Sequence, residues 1–214
     1  EGRLILGVGA ATDTPTIRAE FEACGVPWEA RGARMMEGLR LCRALWTGEK
    51  VDWNGRWTLR GQEIGPTPHR KGGPPIWIGG TVPATIQRVG RELDGWFPSS
   101  LDAAGFAREF PKVQAAAREH GRDPAAVTGA AYLTLALDPD PAVATERLHA
   151  FLRGYYGDRV DFSSKLGPCY AGPAEGVLPF LRGFIQAGST HLVLRFCGPP
   201  EPQMRMLAEV RSSL

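Results

Sequence analysis

The sequence predicts an α/β protein with a parallel sheet, on three observations. Short apolar runs alternate with amphipathic segments, which indicates strands that alternate with helices. Glycine or proline lies at most of the boundaries between these segments. At two places the same order is found, in which a strand is followed by glycines and then by the start of a helix. The predicted strands are residues 3–8, 76–79, 94–98, 129–137 and 191–196. Such units fit either an open doubly wound sheet or part of a (β/α)8 barrel, which normally takes about 250 residues.

The stretch from Gly72 to Thr85 (GGPPIWIGGTVPAT) is the most informative part of the chain. Ile76-Trp77-Ile78 is typical of a buried parallel strand that leads directly into a helix. Gly79 and Gly80 would let backbone N–H groups approach a ligand closely, and the next helix presents its unpaired amides and positive dipole end. A phosphate would fit there. The alternative is structural, because a tight strand-to-helix turn needs glycine with or without a ligand.

The first predicted strand repeats this plan. Arg3 to Val8 (RLILGV) is an apolar run that leads into Gly9. The cluster Thr12-Asp13-Thr14-Pro15 then contains the polar residues and the proline that favour the start of a helix. Two glycine-bearing strand ends are therefore expected, one near residue 9 and one near residue 80.

A β-hairpin is predicted from Val51 to Arg60 (VDWNGRWTLR), where apolar and polar residues alternate on both sides of Asn54-Gly55. Trp53 and Trp57 are expected to pack across the two strands, and capping of a pocket is the alternative.

The C-terminal third contains the least regular segment and the last strand. Residues 158–173 are predicted to be either a loop over a site or a partly ordered segment. His191 begins the last strand, the end of a parallel barrel that is associated with stability, so a structural role is expected. Arg195 and Cys197 lie at the other end of this strand and are candidates for a pocket wall.

Composition excludes several classes of function. The formal net charge is only +2, which gives no general electrostatic attraction to nucleic acid or to an anionic membrane. The four cysteines are isolated, so neither a disulfide framework nor a zinc site is expected. No apolar run approaches the roughly 20 residues of a membrane span, and no signal peptide is recognised, so a cytoplasmic location is expected. The dinucleotide-binding fingerprint G-x-G-x-x-G is absent.

Several segments together resemble the bacterial luciferase-like superfamily, which contains flavin-dependent monooxygenases and deazaflavin-dependent oxidoreductases built on a (β/α)8 barrel. The matching segments keep their order and spacing over most of the chain: GRLILGVGA (2–10), FEACGVPWEARGARMMEGLRLCRALWTGE (21–49), VDWNGRW (51–57), PPIWIGG (74–80), DGWFP (94–98) and AGSTHLVLRF (187–196). The resemblance implies a single TIM-barrel domain over 1–214. In this family the GVGA strand is the fourth of the barrel, so the first three βα units are expected to be missing.

The resemblance also implies where a cofactor would bind. A flavin or deazaflavin would lie across the C-terminal mouth of the barrel, with its phosphate held by backbone amides of Gly79, Gly80, Thr81 and Val82. Thr85 would add a hydroxyl. At the other glycine-bearing strand end, Val8, Gly9 and Asp13 would line the phosphate or the ring of the cofactor.

The reaction implied is hydride transfer between the cofactor and a small organic substrate. Coenzyme F420 is the expected cofactor, and an FMN-dependent monooxygenase is the alternative. A different class is a non-catalytic barrel that binds a cofactor or serves only a structural role. The ring and substrate contacts of such enzymes come largely from the first three strands, so no catalytic acid or base is assigned. A homodimer is expected for the full-length protein.

Overall fold

The computed structural model describes residues 1–157 and 163–213. The chain forms two compact units, Glu1–Ile76 and Trp77–Leu214, and the boundary falls inside a strand, Ile76–Ile78.

The first unit contains a short strand, two helices and a hairpin. Thr14 caps the first helix, because its side chain accepts a hydrogen bond from the Ile17 N–H at 3.3 Å, and Pro15 occupies the first helical position. The elements in chain order are β1 (Leu6–Val8), α1 (Pro15–Ala23), a 3₁₀ turn (Trp28–Ala30), α2 (Arg31–Leu45), β2 (Val51–Asn54) and β3 (Thr58–Gln62).

The predicted hairpin is present, with strands β2 and β3 antiparallel. Trp53 lies opposite Leu59, whereas Trp57 lies in the turn and its ring faces Gly38 of α2. Glu37 of α2 fixes the turn, because its carboxylate accepts the Arg56 N–H at 2.6 Å. The two tryptophans are therefore not opposite each other, and the helix beneath the turn determines the position of Trp57.

The second unit alternates parallel strands with helices, as the sequence predicts. Its elements in chain order are β4 (Ile76–Ile78, which begins in the first unit), α3 (Pro83–Glu92), β5 (Gly95–Trp96), α4 (Ala103–Glu119), a 3₁₀ turn (Pro124–Ala126), β6 (Thr128–Leu137), α5 (Pro141–Tyr156), α6 (Ser163–Leu166), β7 (Cys169–Gly172), α7 (Ala174–Gln186), β8 (His191–Phe196), α8 (Pro200–Val210) and a last 3₁₀ turn (Arg211–Ser213).

Strand β6 is the centre of this sheet. Its first two residues pair with β5, which in turn pairs with β4. Residues 130–135 pair with the whole of β8, and residues 134–137 pair with β7, all in parallel. Since Thr134 and Leu135 pair with both β7 and β8, these two strands must lie on opposite edges of β6. β5 and β7 share the edge of β6 that faces away from β8, since the N–H groups of Thr128 and Thr134, six residues apart, donate to Asp94 beside β5 and to Pro168 beside β7.

The structure also corrects the expectation for residues 158–173. The segment 158–173 was expected to be irregular, yet it contains helix α6 and strand β7, and only residues 158–162 lie outside the described ranges. β7 has four residues and lies between Pro168 and Pro173, so its own pattern is too short to indicate a strand. Its regular conformation comes from pairing with β6, which is distant in sequence.

Aromatic packing joins the sheet to the helices on one face. Trp96 of β5 is fully buried, and its ring lies 5.1 Å from Phe106 and 6.0 Å from Phe110 of α4, centroid to centroid. Phe106 also contacts Phe184 of α7, at 6.4 Å. Burial of such large rings supplies much of the hydrophobic stabilisation of a domain of this size.

Helices α3 and α4 approach each other very closely at Gly90. A methyl group at this position would lie 2.5 Å from the Cβ of Ala116 and at the same distance from its carbonyl carbon. The C-terminal end of α3 is held by Arg122, whose Nη1 donates to the carbonyl oxygens of Val89 and Gly90 at 2.7 and 3.0 Å. A cationic donor at this end also opposes the negative end of the helix dipole.

A buried amide connects the C-terminal ends of β6 and β8. Gln203 of α8 is 2% exposed. Its Oε1 accepts the Leu137 N–H at 2.8 Å, and its Nε2 donates to the carbonyl oxygens of Cys197 and Pro199 at 2.7 and 3.1 Å. One side chain thus satisfies backbone groups of both strand ends.

Within the described ranges, no helix is both long and apolar enough to cross a lipid bilayer.

Two glycine-to-alanine substitutions at equivalent helix positions test the α3–α4 contact. Gly90 and Gly154 are each the third residue from the end of their helix, but a Cβ at Gly154 meets nothing within 4 Å. We expect Gly154→Ala to raise the free energy of unfolding by about 0.5–1 kcal/mol. Gly90→Ala should lower it by about 1–3 kcal/mol through overpacking. Urea unfolding measures both, and equal effects would contradict the close contact.

Thiol accessibility tests the packing at the end of β8. Burial raises the pKa of the Cys197 thiol to about 12, so at pH 8 only about one thiol in 10⁴ would be ionised. Cys24 is exposed. In native protein at pH 8 we expect a chromogenic disulfide reagent to label Cys24 rapidly and Cys197 at least 100-fold more slowly. Cys24→Ser should remove the fast phase of labelling. In denaturant, all four cysteines of the wild-type protein should react. Rapid labelling of Cys197 in the native state would contradict the packing.

Candidate active site

The segment Gly79–Val82 follows β4 and turns the chain into α3. Gly80 has φ = 111°, a conformation that residues with a side chain rarely adopt. Gly79 approaches the backbone of the neighbouring strand end, since a Cβ would lie 3.0 Å from the Phe97 carbonyl oxygen. The conformation of the turn therefore explains both glycines without a ligand. Evidence for ligand binding must come from the hydrogen-bonding groups that the turn exposes.

Trp96 fixes this turn from inside the core. Its indole Nε1 donates to the Gly80 carbonyl oxygen at 2.8 Å, and the ring is fully buried. Sequence reasoning identified the DGWFP segment but did not assign this role, because the bond joins two strand ends that are 16 residues apart.

The N-terminus of α3 lacks a side-chain cap. Its N-cap residue is Val82, which has no side-chain oxygen, and Pro83 is the first helical residue. The N–H groups of Thr85 and Ile86 both donate to the Val82 carbonyl oxygen, at 2.9 and 3.2 Å.

Two further N–H groups at this helix start remain available. In the described part of the chain, no residue accepts a hydrogen bond from the N–H of Thr81 or of Ala84. Both residues are exposed, as is Val82, which is 58% accessible. Thr85 is buried, and its Oγ1 lies 3.4 Å from the position of a Cβ on Gly80. This end of the helix therefore presents unpaired donors and a positive dipole to solvent, which is the arrangement that binds anions.

The other predicted site residues belong to the first unit. Val8 ends β1 and is half-buried, Gly9 is exposed, and Ala11 has φ = 63°, in the left-handed region. Arg31 of α2 holds this segment, because its Nε donates to the Ala10 carbonyl oxygen at 2.8 Å. The same guanidinium lies 3.5 Å from the centroid of the Trp28 ring.

Asp13 is engaged by a neighbour. Its two carboxylate oxygens accept hydrogen bonds from Nε and Nη2 of Arg18, at 2.6 and 2.8 Å, and both side chains are exposed. This bidentate pair holds the pKa of Asp13 below its ordinary value. In the described structure the residue thus contacts Arg18, one turn into α1, and a role toward the cofactor stays a prediction.

A cavity of about 350 Å³ lies beside the end of β1, within the first unit. Trp57 lines it together with Gly9, so the alternative interpretation of the hairpin tryptophans, as pocket residues, applies to Trp57. Arg34 lies over the Trp57 ring at 5.3 Å. The lining residues are Gly9, Ala10, Phe21, Val26, Arg31, Arg34, Met35, Gly38, Leu39 and Trp57.

The residues predicted for the site thus fall into two groups. Gly79, Gly80, Thr81, Val82 and Thr85 are brought together in one turn of the second unit. Val8, Gly9 and Asp13 lie in the first unit.

The remaining candidates are mostly structural. His191 packs edge-on against Trp77 at 4.8 Å, in agreement with the structural role expected for it. Cys197 is fully buried in a cluster with Ala136, Leu148 and Leu152, and burial raises the pKa of its thiol, as expected for a small apolar core residue. Among the residues that the structure describes, no group of three or more His, Cys, Asp or Glu side chains could hold a metal ion.

Comparison with known proteins identifies the family. The model of the luciferase-like monooxygenase family matches residues 1–192. An F420-dependent glucose-6-phosphate dehydrogenase from Rhodococcus erythropolis is 32% identical over 148 residues, which cover 68% of this chain and 43% of that protein. The chain thus aligns with less than half the length of this curated relative.

Two solved structures show the same fold. One is an F420-dependent secondary alcohol dehydrogenase in complex with an F420-acetone adduct, with a TM-score of 0.80 at 20% identity, over 98% of this chain and 69% of that one. The other is a monooxygenase from Streptomyces bottropensis, with a TM-score of 0.73 at 22% identity, over 100% of this chain and 68% of that one. The predicted fold class, an α/β fold of the luciferase-like TIM-barrel type, is thereby confirmed, and the chain belongs to the luciferase-like monooxygenase family.

Proposed function

We propose that this luciferase-like oxidoreductase uses coenzyme F420 and exchanges a hydride between the deazaflavin ring and a small organic substrate. The curated relative and the structural neighbour described above are both named as F420-dependent dehydrogenases, which supports this cofactor. The deazaflavin supplies the hydride chemistry when it is bound.

The observation that carries the proposal is the uncapped start of α3. A phosphate group requires several N–H donors and a positive potential, and the described donors of Thr81 and Ala84 meet that requirement without any side chain that would compete. Thr85 lies within the same turn and could donate through its hydroxyl. The residues present therefore fit the phosphate of the cofactor.

Trp96 has a positioning role in this proposal. Its hydrogen bond to the Gly80 carbonyl oxygen keeps that oxygen turned toward the core, so it does not repel a phosphate at the helix start. Because the indole is buried between Phe106 and Phe110, this orientation is maintained in the absence of a ligand. Preorganised donors bind an anion with little reorganisation.

An FMN-dependent monooxygenase is the second candidate. The family description and the Streptomyces neighbour favour it. FMN also carries a phosphate, so the start of α3 suits both cofactors equally.

Titration with each cofactor tests the proposal and separates the two candidates. We expect F420 to bind at least tenfold more tightly than FMN, as followed by the fluorescence of each cofactor. Tighter binding of FMN would favour the monooxygenase. Binding of neither cofactor would contradict the proposal.

A glycine substitution tests the phosphate site. In Gly80→Val the branched side chain would obstruct the turn and disfavour the positive φ. Affinity for F420 should fall at least tenfold, more than any loss of stability explains.

Gly121→Val is the matched control, because Gly121 also has a positive φ, at 70°, but no neighbour within 4 Å. It should lower the free energy of unfolding by a similar amount, about 1–2 kcal/mol, and leave affinity unchanged. A folded Gly80→Val protein with wild-type affinity would leave only the structural role of the glycine.

We also propose that the protein self-associates as a homodimer. Among the described strands, β8 pairs only with β6, so the backbone groups along its other edge have no strand partner. Such edges favour pairing with another chain. Light scattering over a 100-fold concentration range should give a dimer mass, and a constant monomer mass would contradict this proposal.

A further inference from the structure

We propose that Arg195 forms a subsite for an oxyanion, a carboxylate or phosphate group of a small ligand. Arg195 is on β8, directly opposite Thr134 on β6. Its Nε and Nη2 both donate to the Thr134 Oγ1, at 3.1 and 2.8 Å. Two of the five guanidinium N–H donors are thus used by one neutral hydroxyl, and the planar group is held in a defined orientation.

Aromatic rings surround the guanidinium. Its Cζ lies 5.0 Å from the ring of Tyr132 on β6, 4.9 Å from Phe151 and 4.8 Å from Tyr155, both on α5. The next residue, Tyr156, is a further hydrogen-bond partner. Cation–π contacts and hydroxyl groups stabilise a cation without neutralising it, so the full positive charge remains available to a ligand.

No acidic side chain compensates this charge in the part of the chain that the structure describes. Other arginines of the protein have such partners: Arg147 pairs with Asp138 at 2.8 Å, and Arg18 pairs with Asp13. No Asp or Glu among the described residues forms an ion pair with the half-buried Arg195. Burying a charge is costly where no counter-ion meets it, and none of the described acidic residues does so here, so an anionic ligand would remove that cost.

The position of the cluster favours a ligand role. Arg195 lies near the C-terminal end of β8, and ligands of parallel α/β folds bind at the C-terminal ends of their strands. Tyr155 is 63% exposed, so the cluster is open on one side. Lys165 lies beside it, with Nζ 5.3 Å from the centroid of the Tyr156 ring, and adds a second positive charge.

Binding of a simple oxyanion at Arg195 and binding of an anionic substrate there are separate claims. A role in binding an anionic substrate rests on the proposed oxidoreductase function, whereas binding of a simple oxyanion does not. The experiment therefore uses sodium acetate and sodium phosphate as probes, with sodium chloride at the same ionic strength for comparison. Acetate represents a carboxylate ligand and phosphate a phosphate ester.

Nuclear magnetic resonance measures the binding directly. The Nε resonance of Arg195, identified by its absence in Arg195→Lys, should shift saturably with acetate or phosphate and not with chloride. The tyrosine ring resonances of Tyr132 and Tyr155 should shift with the same midpoint, and they provide the readout for the variants.

Two substitutions and one control complete the test. Arg195→Gln should weaken oxyanion binding at least tenfold, and Arg195→Lys, which keeps the charge but loses the planar fork, about threefold or more. Arg205→Gln is the control, because Arg205 is an exposed arginine of α8 paired with Glu201. It should leave the midpoint unchanged. The wild-type titration and Arg195→Lys decide the question if Arg195→Gln does not fold.

The outcomes are separable from those of the cofactor titration. Absence of a saturable shift with either oxyanion, or equal affinity in the wild type and Arg195→Lys, would overturn the subsite even if F420 binds. Oxyanion binding that depends on Arg195 in a protein that binds neither F420 nor FMN would support the subsite and contradict the proposed function.

Discussion

Strand β6 is the element on which the second unit depends. It has ten residues, almost all buried, and it pairs with β5, β7 and β8. One face meets the Phe110 ring of α4 at Gly129, and the other face carries Tyr132 and Thr134. Because these side chains alternate along one strand, the packing that buries one face also determines where the polar groups of the other face lie. The register of β6 therefore determines both the packing of the core and the positions of the side chains around the proposed Arg195 subsite.

The start of α3 depends on the core in a similar way. Gly80 has a conformation that other residues avoid, and Trp96 holds its carbonyl oxygen from the buried side. The exposed side of the same turn is left with N–H groups and no carboxylate or hydroxyl cap. The anion site proposed here would thus depend on what the turn lacks as much as on what it contains, and selectivity for one cofactor would have to come from other parts of the protein.

The sequence predicted the strands that have strong local patterns. β8 was predicted over its full range, and β6 to within one residue, because their apolar runs are long and bounded by turn residues. β7 was missed because four residues carry no periodicity and its partner strand is more than 30 residues away. The turn at Gly79 and Gly80 was recognised from its glycines, but Trp96 was not, since nothing in a linear sequence shows which carbonyl a distant indole contacts.

The Arg195 cluster shows the same limit. The sequence placed Arg195 at a strand end, where the structure has it, whereas the suggested role in a pocket wall stays a prediction. The tyrosines and Phe151 around it come from another strand and from α5, and their convergence follows from how α5 folds back on the sheet. A residue type and a place along a strand can thus be predicted from the pattern, whereas the set of neighbours that determines its chemistry depends on tertiary packing.

The buried Gln203 side chain affects how much the loops that follow β6 and β8 can vary. Its amide accepts from Leu137 and donates to the carbonyl oxygen of Cys197, so it serves as a surrogate peptide group just beyond the last backbone pairs of β6 and β8. The two strand ends are thereby closed by a side chain of α8, independently of the loops that follow them. Those loops are then free to differ in length and sequence among relatives without unravelling the strands, and loops at this end of a parallel sheet are where substrate specificity changes.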